Sequence, residues 1–90
     1  MMIESQVEIV NRLGLHARAA AKLVHLTSRF ESHVWLAKDG EEVDAKSILG
    51  ILLLAAAQGS SVVIRCDGRD EQEAIGAIEE LFANRFDEDC

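Results

Sequence analysis

The sequence predicts an α+β fold in which a four-stranded antiparallel sheet carries three helices on one face. Apolar residues alternate with polar ones along four segments, and they recur at helical spacing along three others. In chain order these segments read β-α-β-β-α-β-α, and such elements pack as an open-faced sandwich. The chain has 90 residues, 49% of them hydrophobic, and no linker interrupts it, so residues 1–90 are expected to form a single domain.

The first strand and the first helix are predicted from a change of periodicity. Residues 6–10 alternate with Val7 and Ile9 on the buried face, which is typical of a half-buried strand. A loop containing Gly14 follows, and helical spacing begins at His16. The predicted buried stripe of this helix consists of Ala17, Ala20, Ala21 and Val24, with Leu23, Leu26 and Phe30 beside it.

A β-hairpin is predicted after the first helix. Residues 32–38 alternate and lead into the pair Asp39-Gly40. This pair suits a type I′ turn, because both central residues of that turn need a positive φ. A two-residue turn at this place sets Leu36 opposite Val43, so apolar residues meet on one face of the hairpin.

The remaining elements are a short helix, a strand and a longer helix. Ser47 is the predicted N-cap of a short helix over residues 47–54, since a serine hydroxyl can accept from a free amide of the first turn. Residues 61–66 alternate and form the last strand. Asp70 is the predicted cap of the final helix, with Glu73 completing a capping box.

The net charge of −7 is concentrated at one end of the chain. Residues 1–66 contain seven acidic and seven basic residues, whereas residues 67–90 contain nine acidic and two basic ones. We expect an acidic C-terminal tail from about residue 86. An acidic helix and tail argue against nucleic acid as a partner. The neutral part contains a candidate basic patch of Arg12, Arg18, Lys22 and Lys46.

Cysteine content and hydropathy favour a soluble cytoplasmic protein. Cys66 and Cys90 do not make a disulfide framework in a chain without a secretion signal. Cys66 lies on the apolar side of the last strand and is predicted to be a small core residue. The longest apolar run, residues 51–57, is too short to insert across a membrane.

His16 stands where the first loop becomes the first helix, and this position suits a phosphoryl group. The first amides of a helix lack carbonyl partners and carry partial positive charge, so those of Ala17 and Arg18 can point at a group on the ring. The Arg18 guanidinium adds a cation whose donors fit phosphate oxygens. The same field disfavours an imidazolium and leaves a neutral ring that can attack phosphorus. A plain helix-capping role for His16 is the alternative.

Two separated motifs resemble those of one known family. The run Gly14-Leu-His-Ala-Arg18 resembles the active-site signature of the histidine-containing phosphocarriers of the bacterial phosphotransferase system, commonly called HPr. The run Ala45-Lys-Ser-Ile-Leu-Gly-Ile51 is similar to that family's regulatory-serine segment. The similarity spans roughly residues 4–86 with the same order of elements, so an HPr-like domain is expected.

The resemblance implies a phosphocarrier function for this chain. His16 would accept the group on Nδ1 from phosphorylated enzyme I and pass it to an enzyme IIA protein. Arg18 would be the charge partner, and the backbone of Ala17 and Arg18 would contact the phosphate. Such a chain is a stoichiometric carrier rather than an enzyme, and no cofactor is implied. The family usually has proline directly after this arginine, whereas here Ala19 takes that place.

The short second helix is predicted to carry a regulatory site and a partner surface. The resemblance implies that Ser47 is phosphorylated by a dedicated HPr kinase/phosphorylase. Too many apolar residues lie on this helix for all to face inward, and an exposed apolar patch usually marks a partner surface. Ile51 and Leu54 are assigned to the core. Ile48, Leu49 and Leu52 are assigned to partner binding, and the resemblance implies this use for Ile48 and Leu49.

The C-terminal run from Leu81 resembles the nitrogen-related branch called NPr, whose partners are a specialised enzyme I and a nitrogen-type enzyme IIA. A regulatory binding module that acts through its phosphorylation state, rather than in sugar uptake, is therefore the alternative function. A monomer is expected, because several partners must reach the same faces.

A metal site would need His16, His25 and His33 to converge. Their spacing follows no metal-binding pattern, so no metal is predicted.

Overall fold

The predicted open-faced sandwich is confirmed by a computed structural model that describes residues 2–88. The elements are β1 (Met2–Glu8), α1 (Ala17–Thr27), β2 (His33–Lys38), β3 (Glu41–Asp44), α2 (Ile48–Leu53), β4 (Ser61–Asp67) and α3 (Glu71–Ala83), followed by a 3-10 turn at Arg85–Asp87. All sheet pairings are antiparallel, in the order β1-β4-β2-β3. Within the described residues, no helix is long and apolar enough to cross a membrane.

The core lies between the sheet and the helices. Alternation along β4 buries Val62, Ile64 and Cys66. Fully buried partners come from the neighbouring strand, at Leu36, and from the helices, at Leu23, Ile78 and Phe82. Burial raises the pKa of the Cys66 thiol to about 11, so this cysteine stays protonated and acts as an apolar core residue, as predicted. Cys90 lies outside the described residues.

The hairpin forms with the predicted turn and register. Asp39 and Gly40 have φ values of 52° and 85°, and Leu36 is paired with Val43. The first strand, in contrast, runs over Met2–Glu8 rather than residues 6–10. Its pairing with β4 supplies the hydrogen bonds that extend it towards the N-terminus, where the apolar pattern is weak.

The buried face of α1 differs from the predicted stripe. Ala19, Ala20, Leu23 and Thr27 are buried, whereas Ala17 and Ala21 are exposed. Alanine is a poor marker of the buried face because it is small and tolerated on either side of a helix. Burial of Thr27 is possible because its hydroxyl donates to the carbonyl of Ala45 at 2.8 Å.

Asp70 begins α3, but its carboxylate does not cap that helix. It accepts instead from the Glu31 amide at 2.9 Å, the Ser32 amide at 3.0 Å and the Ser32 hydroxyl at 2.5 Å. The predicted capping box with Glu73 is therefore wrong. These hydrogen bonds lower the pKa of Asp70 to about 2, and the bond from the Ser32 hydroxyl has the largest effect.

An Asp70→Asn variant is expected to be less stable near neutral pH, with a deficit that shrinks in acid. The native pKa of about 2 lies below the ordinary value of 3.8, so ionised Asp70 stabilises the fold above about pH 4. This contribution is lost as the pH falls from about 4 towards 2. Thermal unfolding at several pH values measures it, with Glu73→Gln as a control on the same helix turn. A deficit that does not change with pH would contradict the prediction.

Candidate phosphate site at the start of α1

His16 is the N-cap of α1, with an extended backbone at φ −77° and ψ −179°. Its carbonyl accepts the first helical bond from Ala20 at 2.9 Å. Its ring turns back onto the same helix end, where Nδ1 accepts from the Arg18 amide at 3.3 Å. An imidazole nitrogen that accepts a hydrogen bond carries no proton, so the Nδ1 lone pair faces the positive end of α1.

The loop before His16 is held against the chain at residues 56–57. Gly14 has a φ of +66°, and a Cβ there would stand 2.5 Å from the carbonyl oxygen of Ala56. The next amide, that of Leu15, donates to the same oxygen at 2.9 Å. The buried side chain of Asn11 closes the loop by donating to the Gly14 carbonyl at 2.8 Å. These contacts position His16 against the helix.

The other ring nitrogen of His16 is bonded to a residue that sequence reasoning missed. Nε2 forms a hydrogen bond with Oε2 of Glu88, and Oε1 of Glu88 accepts from Asn11 Nδ2 at 3.1 Å. Burial alone would raise the pKa of Glu88, but the bonds from His16 and Asn11 outweigh it, and the pKa lies below the ordinary value. A carboxylate at Nε2 and a donor at Nδ1 together select the neutral tautomer with its proton on Nε2.

Glu88 reaches the ring through what we term the C-terminal strap, residues 84–88. Arg85, Phe86 and Asp87 all have φ values between 53° and 62°, a left-handed conformation that non-glycine residues seldom adopt in succession. Phe86 is fully buried and contacts Phe82 edge-on, with ring centroids 4.8 Å apart. Residues 86–88, which belong to the predicted acidic tail, are packed on the domain through the Phe86 ring and the Glu88 carboxylate. The sequence does contain a signal for this packing, because Phe86 follows the core residue Phe82 by four positions.

Three of the four predicted basic residues line the depression around His16. Arg12, Arg18 and Lys22 share it with Asp87 and Glu88. Lys22 also ties down the strap, since Nζ donates to the Phe86 carbonyl at 2.7 Å. The prediction was wrong for Lys46, whose Nζ donates to the Phe30 carbonyl at 2.8 Å. The depression is therefore lined by cations from the loop and α1 and by the carboxylates of the C-terminal strap.

Ser47 and α2 have the predicted arrangement. The Ser47 hydroxyl accepts from the Gly50 amide at 3.1 Å and caps the helix. Ile51 and Leu54 are buried, whereas Ile48, Leu49 and Leu52 are 42%, 70% and 36% exposed. Two further exposed leucines were not foreseen, Leu53 on the same helix and Leu13 in the loop before His16.

The other two histidines lie on separate surfaces. His25 is exposed on α1, and His33 stacks on Trp35 on β2, with ring centroids 5.6 Å apart. In residues 2–88 there is no group of three or more His, Cys, Asp or Glu residues that could hold a metal ion.

Comparison with known proteins identifies the family. A family model described as the PTS HPr component phosphorylation site matches residues 3–84. The phosphocarrier protein HPr of Xylella fastidiosa is 53% identical over 88 residues, which cover 98% of this chain and 99% of that protein. That of Cupriavidus necator is 52% identical over 87 residues, covering 97% and 98%. The crystal structure of HPr-C-His from Thermoanaerobacter tengcongensis superposes with a TM-score of 0.94 at 44% identity, covering 98% of this chain and 99% of that one. The chain therefore belongs to the HPr family of phosphocarrier proteins of the phosphotransferase system.

Proposed function

We propose that His16 accepts a phosphoryl group on Nδ1 from phosphorylated enzyme I and passes it to an enzyme IIA protein. The observation that carries this proposal is the pair of ring contacts, with the Arg18 amide at Nδ1 and the Glu88 carboxylate at Nε2. Together they favour a lone pair on Nδ1 at the start of α1 and a proton on Nε2. The lone pair forms the new N–P bond, while the bond from phosphorus to the donor atom breaks and its electron pair leaves with the donor. The chain returns to its starting state only by passing the group on, so it acts as a stoichiometric carrier and not as an enzyme.

The start of α1 and its arginine would neutralise the transferred group. The amides of Ala17 and Arg18 belong to the first turn, where no intrahelical carbonyl accepts from them. The amide of Arg18 donates to Nδ1 in the unmodified ring. Once Nδ1 is bonded to phosphorus, this amide has lost its acceptor and can donate to a phosphoryl oxygen instead. The exposed Arg18 guanidinium lines the same depression and can follow the group as it moves between partners.

Incubation with phosphoenolpyruvate and enzyme I tests this function. We expect one phosphoryl group per chain, bound in an acid-labile and base-stable form, with the ring signals of His16 showing substitution at Nδ1. Transfer of the label to a sugar-type or a nitrogen-type enzyme IIA then separates uptake from the regulatory alternative. An adduct on His25 or His33, or none at all, would contradict the proposal.

The exposed side of α2 is proposed as the surface on which enzyme I and enzyme IIA dock. Ile48, Leu49 and Leu52 leave apolar area in water that a partner can cover. We expect Leu49→Asp to lower kcat/KM for phosphoryl transfer from enzyme I about 30-fold, the size of a hot-spot loss of about 2 kcal/mol. Met2→Asp is the control, since Met2 is 53% exposed on β1. Equal losses in both variants would contradict the assignment.

Ser47 is proposed as a regulatory phosphorylation site for an HPr kinase/phosphorylase. A phosphate at the N-cap of α2 suits the helix dipole, so the fold should persist while the added negative charge weakens docking on an acidic partner. Incubation with ATP and that kinase is expected to give an acid-stable adduct, which Ser47→Ala lacks. An adduct that survives this substitution would place the modification elsewhere.

A further inference from the structure

Glu88 is held against His16 by residues that lie outside the run of residues 14–18. Its side chain is 12% exposed. Oε2 is hydrogen-bonded to Nε2 of His16, and Oε1 accepts from the side-chain amide of Asn11. The C-terminal strap that carries it is anchored by the buried Phe86 ring and by the bond from Lys22 to the Phe86 carbonyl. The position of the carboxylate is therefore set both by its own hydrogen bonds and by the anchored backbone that carries it.

Several charged side chains line the depression around the His16 ring, but among the carboxylates only Glu88 is shown hydrogen-bonded to the ring in the described residues. Arg12 lies on the preceding loop, Arg18 and Lys22 on α1, and Asp87 on the strap; all line the depression. Lys22 is directed to the strap, being 2.7 Å from the Phe86 carbonyl and 3.9 Å from an Asp87 oxygen. In the described part of the chain, Glu88 is the one carboxylate hydrogen-bonded to the ring.

We propose that Glu88 is a positioning residue for phosphoryl transfer: it holds a proton on Nε2, directs the incoming group to Nδ1 and keeps the phosphorylated ring protonated for release. This inference rests on the proposed function of His16. It assigns the strap a chemical role, because a carboxylate bonded to one ring nitrogen raises the basicity of the other.

The proton on Nε2 matters in both directions of the transfer. When Nδ1 forms its bond to phosphorus, the ring with its Nε2 proton gains positive charge, which the Glu88 carboxylate offsets. When the N–P bond breaks, its electron pair returns to Nδ1 and the ring leaves as neutral imidazole, while phosphorus bonds to the acceptor atom. Without the Nε2 proton the leaving group would be an imidazolate anion, which departs far less readily.

The test measures the phosphorylated ring itself. Chains carrying His25→Gln and His33→Gln, so that His16 is the remaining histidine, are phosphorylated with phosphoramidate, whose P–N bond breaks to release ammonia. We compare the original Glu88, Glu88→Gln and, as a control of equal charge change, the exposed Glu80→Gln on α3. The hydrolysis rate of Nδ1-phosphohistidine is followed from pH 5 to 9 in each.

We expect the hydrolysis profile of Glu88→Gln to shift to lower pH by about half a unit to one unit, a fraction of the one to three units that a close opposite charge produces. On the alkaline side this makes hydrolysis about 3- to 10-fold slower. Glu80→Gln should retain the original profile. Coincident profiles for Glu88→Gln and the original chain would overturn the inference.

A second variant tests the direction of attack. Glu88→Ala leaves Nε2 uncovered, so phosphoramidate should yield a larger share of Nε2-phosphohistidine, which ring NMR signals distinguish from the Nδ1 form. An unchanged share would count against Glu88 as the directing group. Both arms use a small donor, so they are independent of enzyme I; failure of enzyme I to label His16 in the original chain would overturn the proposed function instead.

Discussion

Replacing His16 with alanine is expected to abolish phosphoryl transfer from enzyme I while the fold remains intact. The variant lacks the Nδ1 lone pair that is proposed to receive the group, and no second imidazole among residues 2–88 stands at the start of α1 in its place. Its stability should fall by only about 1 kcal/mol, the usual loss when a helix loses a side-chain cap. Mass spectrometry after incubation with enzyme I and phosphoenolpyruvate measures the first effect, and thermal unfolding the second.

The matched control is His25→Ala, which removes an exposed imidazole from the same helix. It should be phosphorylated as fully as the original chain. If His16→Ala still acquired an acid-labile phosphoryl group, the acceptor would be another residue, and the arrangement at the start of α1 would be no more than a helix cap.

Gly14→Ala is expected to destabilise the domain by about 2–4 kcal/mol and to slow transfer to His16. A Cβ at this position stands 2.5 Å from the Ala56 oxygen and 3.0 Å from the Ala57 Cα, which are backbone atoms that cannot rotate away. The φ of +66° adds strain for any side chain. Relief requires the loop to move off residues 56–57, and the hydrogen bond from Leu15 to Ala56 is stretched with it.

Gly59→Ala separates the two causes, because Gly59 has a φ of +89° but no neighbouring atom lies within 4 Å of the place that a Cβ would take. It should lose only about 1 kcal/mol and transfer normally. Chemical denaturation compares the two free energies of unfolding, and the enzyme I assay compares transfer. Equal destabilisation of both variants would show that φ strain alone accounts for the loss, and that the close approach to Ala56 is unimportant.

The elements that local chemistry determines were the ones predicted well. Asp39-Gly40 set the hairpin register, since a two-residue turn with positive φ allows one pairing of the flanking strands. Ser47 marked the start of α2 because a cap acts within one turn of its own helix. The composition of α2 also required an exposed apolar face, and Leu49 lies on it.

The errors arose where a side chain has a distant partner. Asp70 has the sequence context of a helix cap, yet it binds the amides of Glu31 and Ser32, 39 and 38 residues earlier in the chain. Lys46 was predicted to join a basic patch, but it is bonded to the Phe30 carbonyl, just beyond the end of α1. Such contacts depend on which ends of the elements meet in space, and no local pattern encodes that.

By itself the sequence determined the fold class, the hairpin register, and the place of His16 and Arg18 at the start of a helix. Those features follow from periodicity, turn chemistry and the unpaired amides that begin every helix. Only the tertiary structure decided the second half of the site, because Glu88 lies 72 residues from His16 along the chain. Burial of Phe86 against Phe82 and a left-handed turn bring it there, and the strap is held in place by Lys22 of α1, 64 residues earlier in the chain than Phe86.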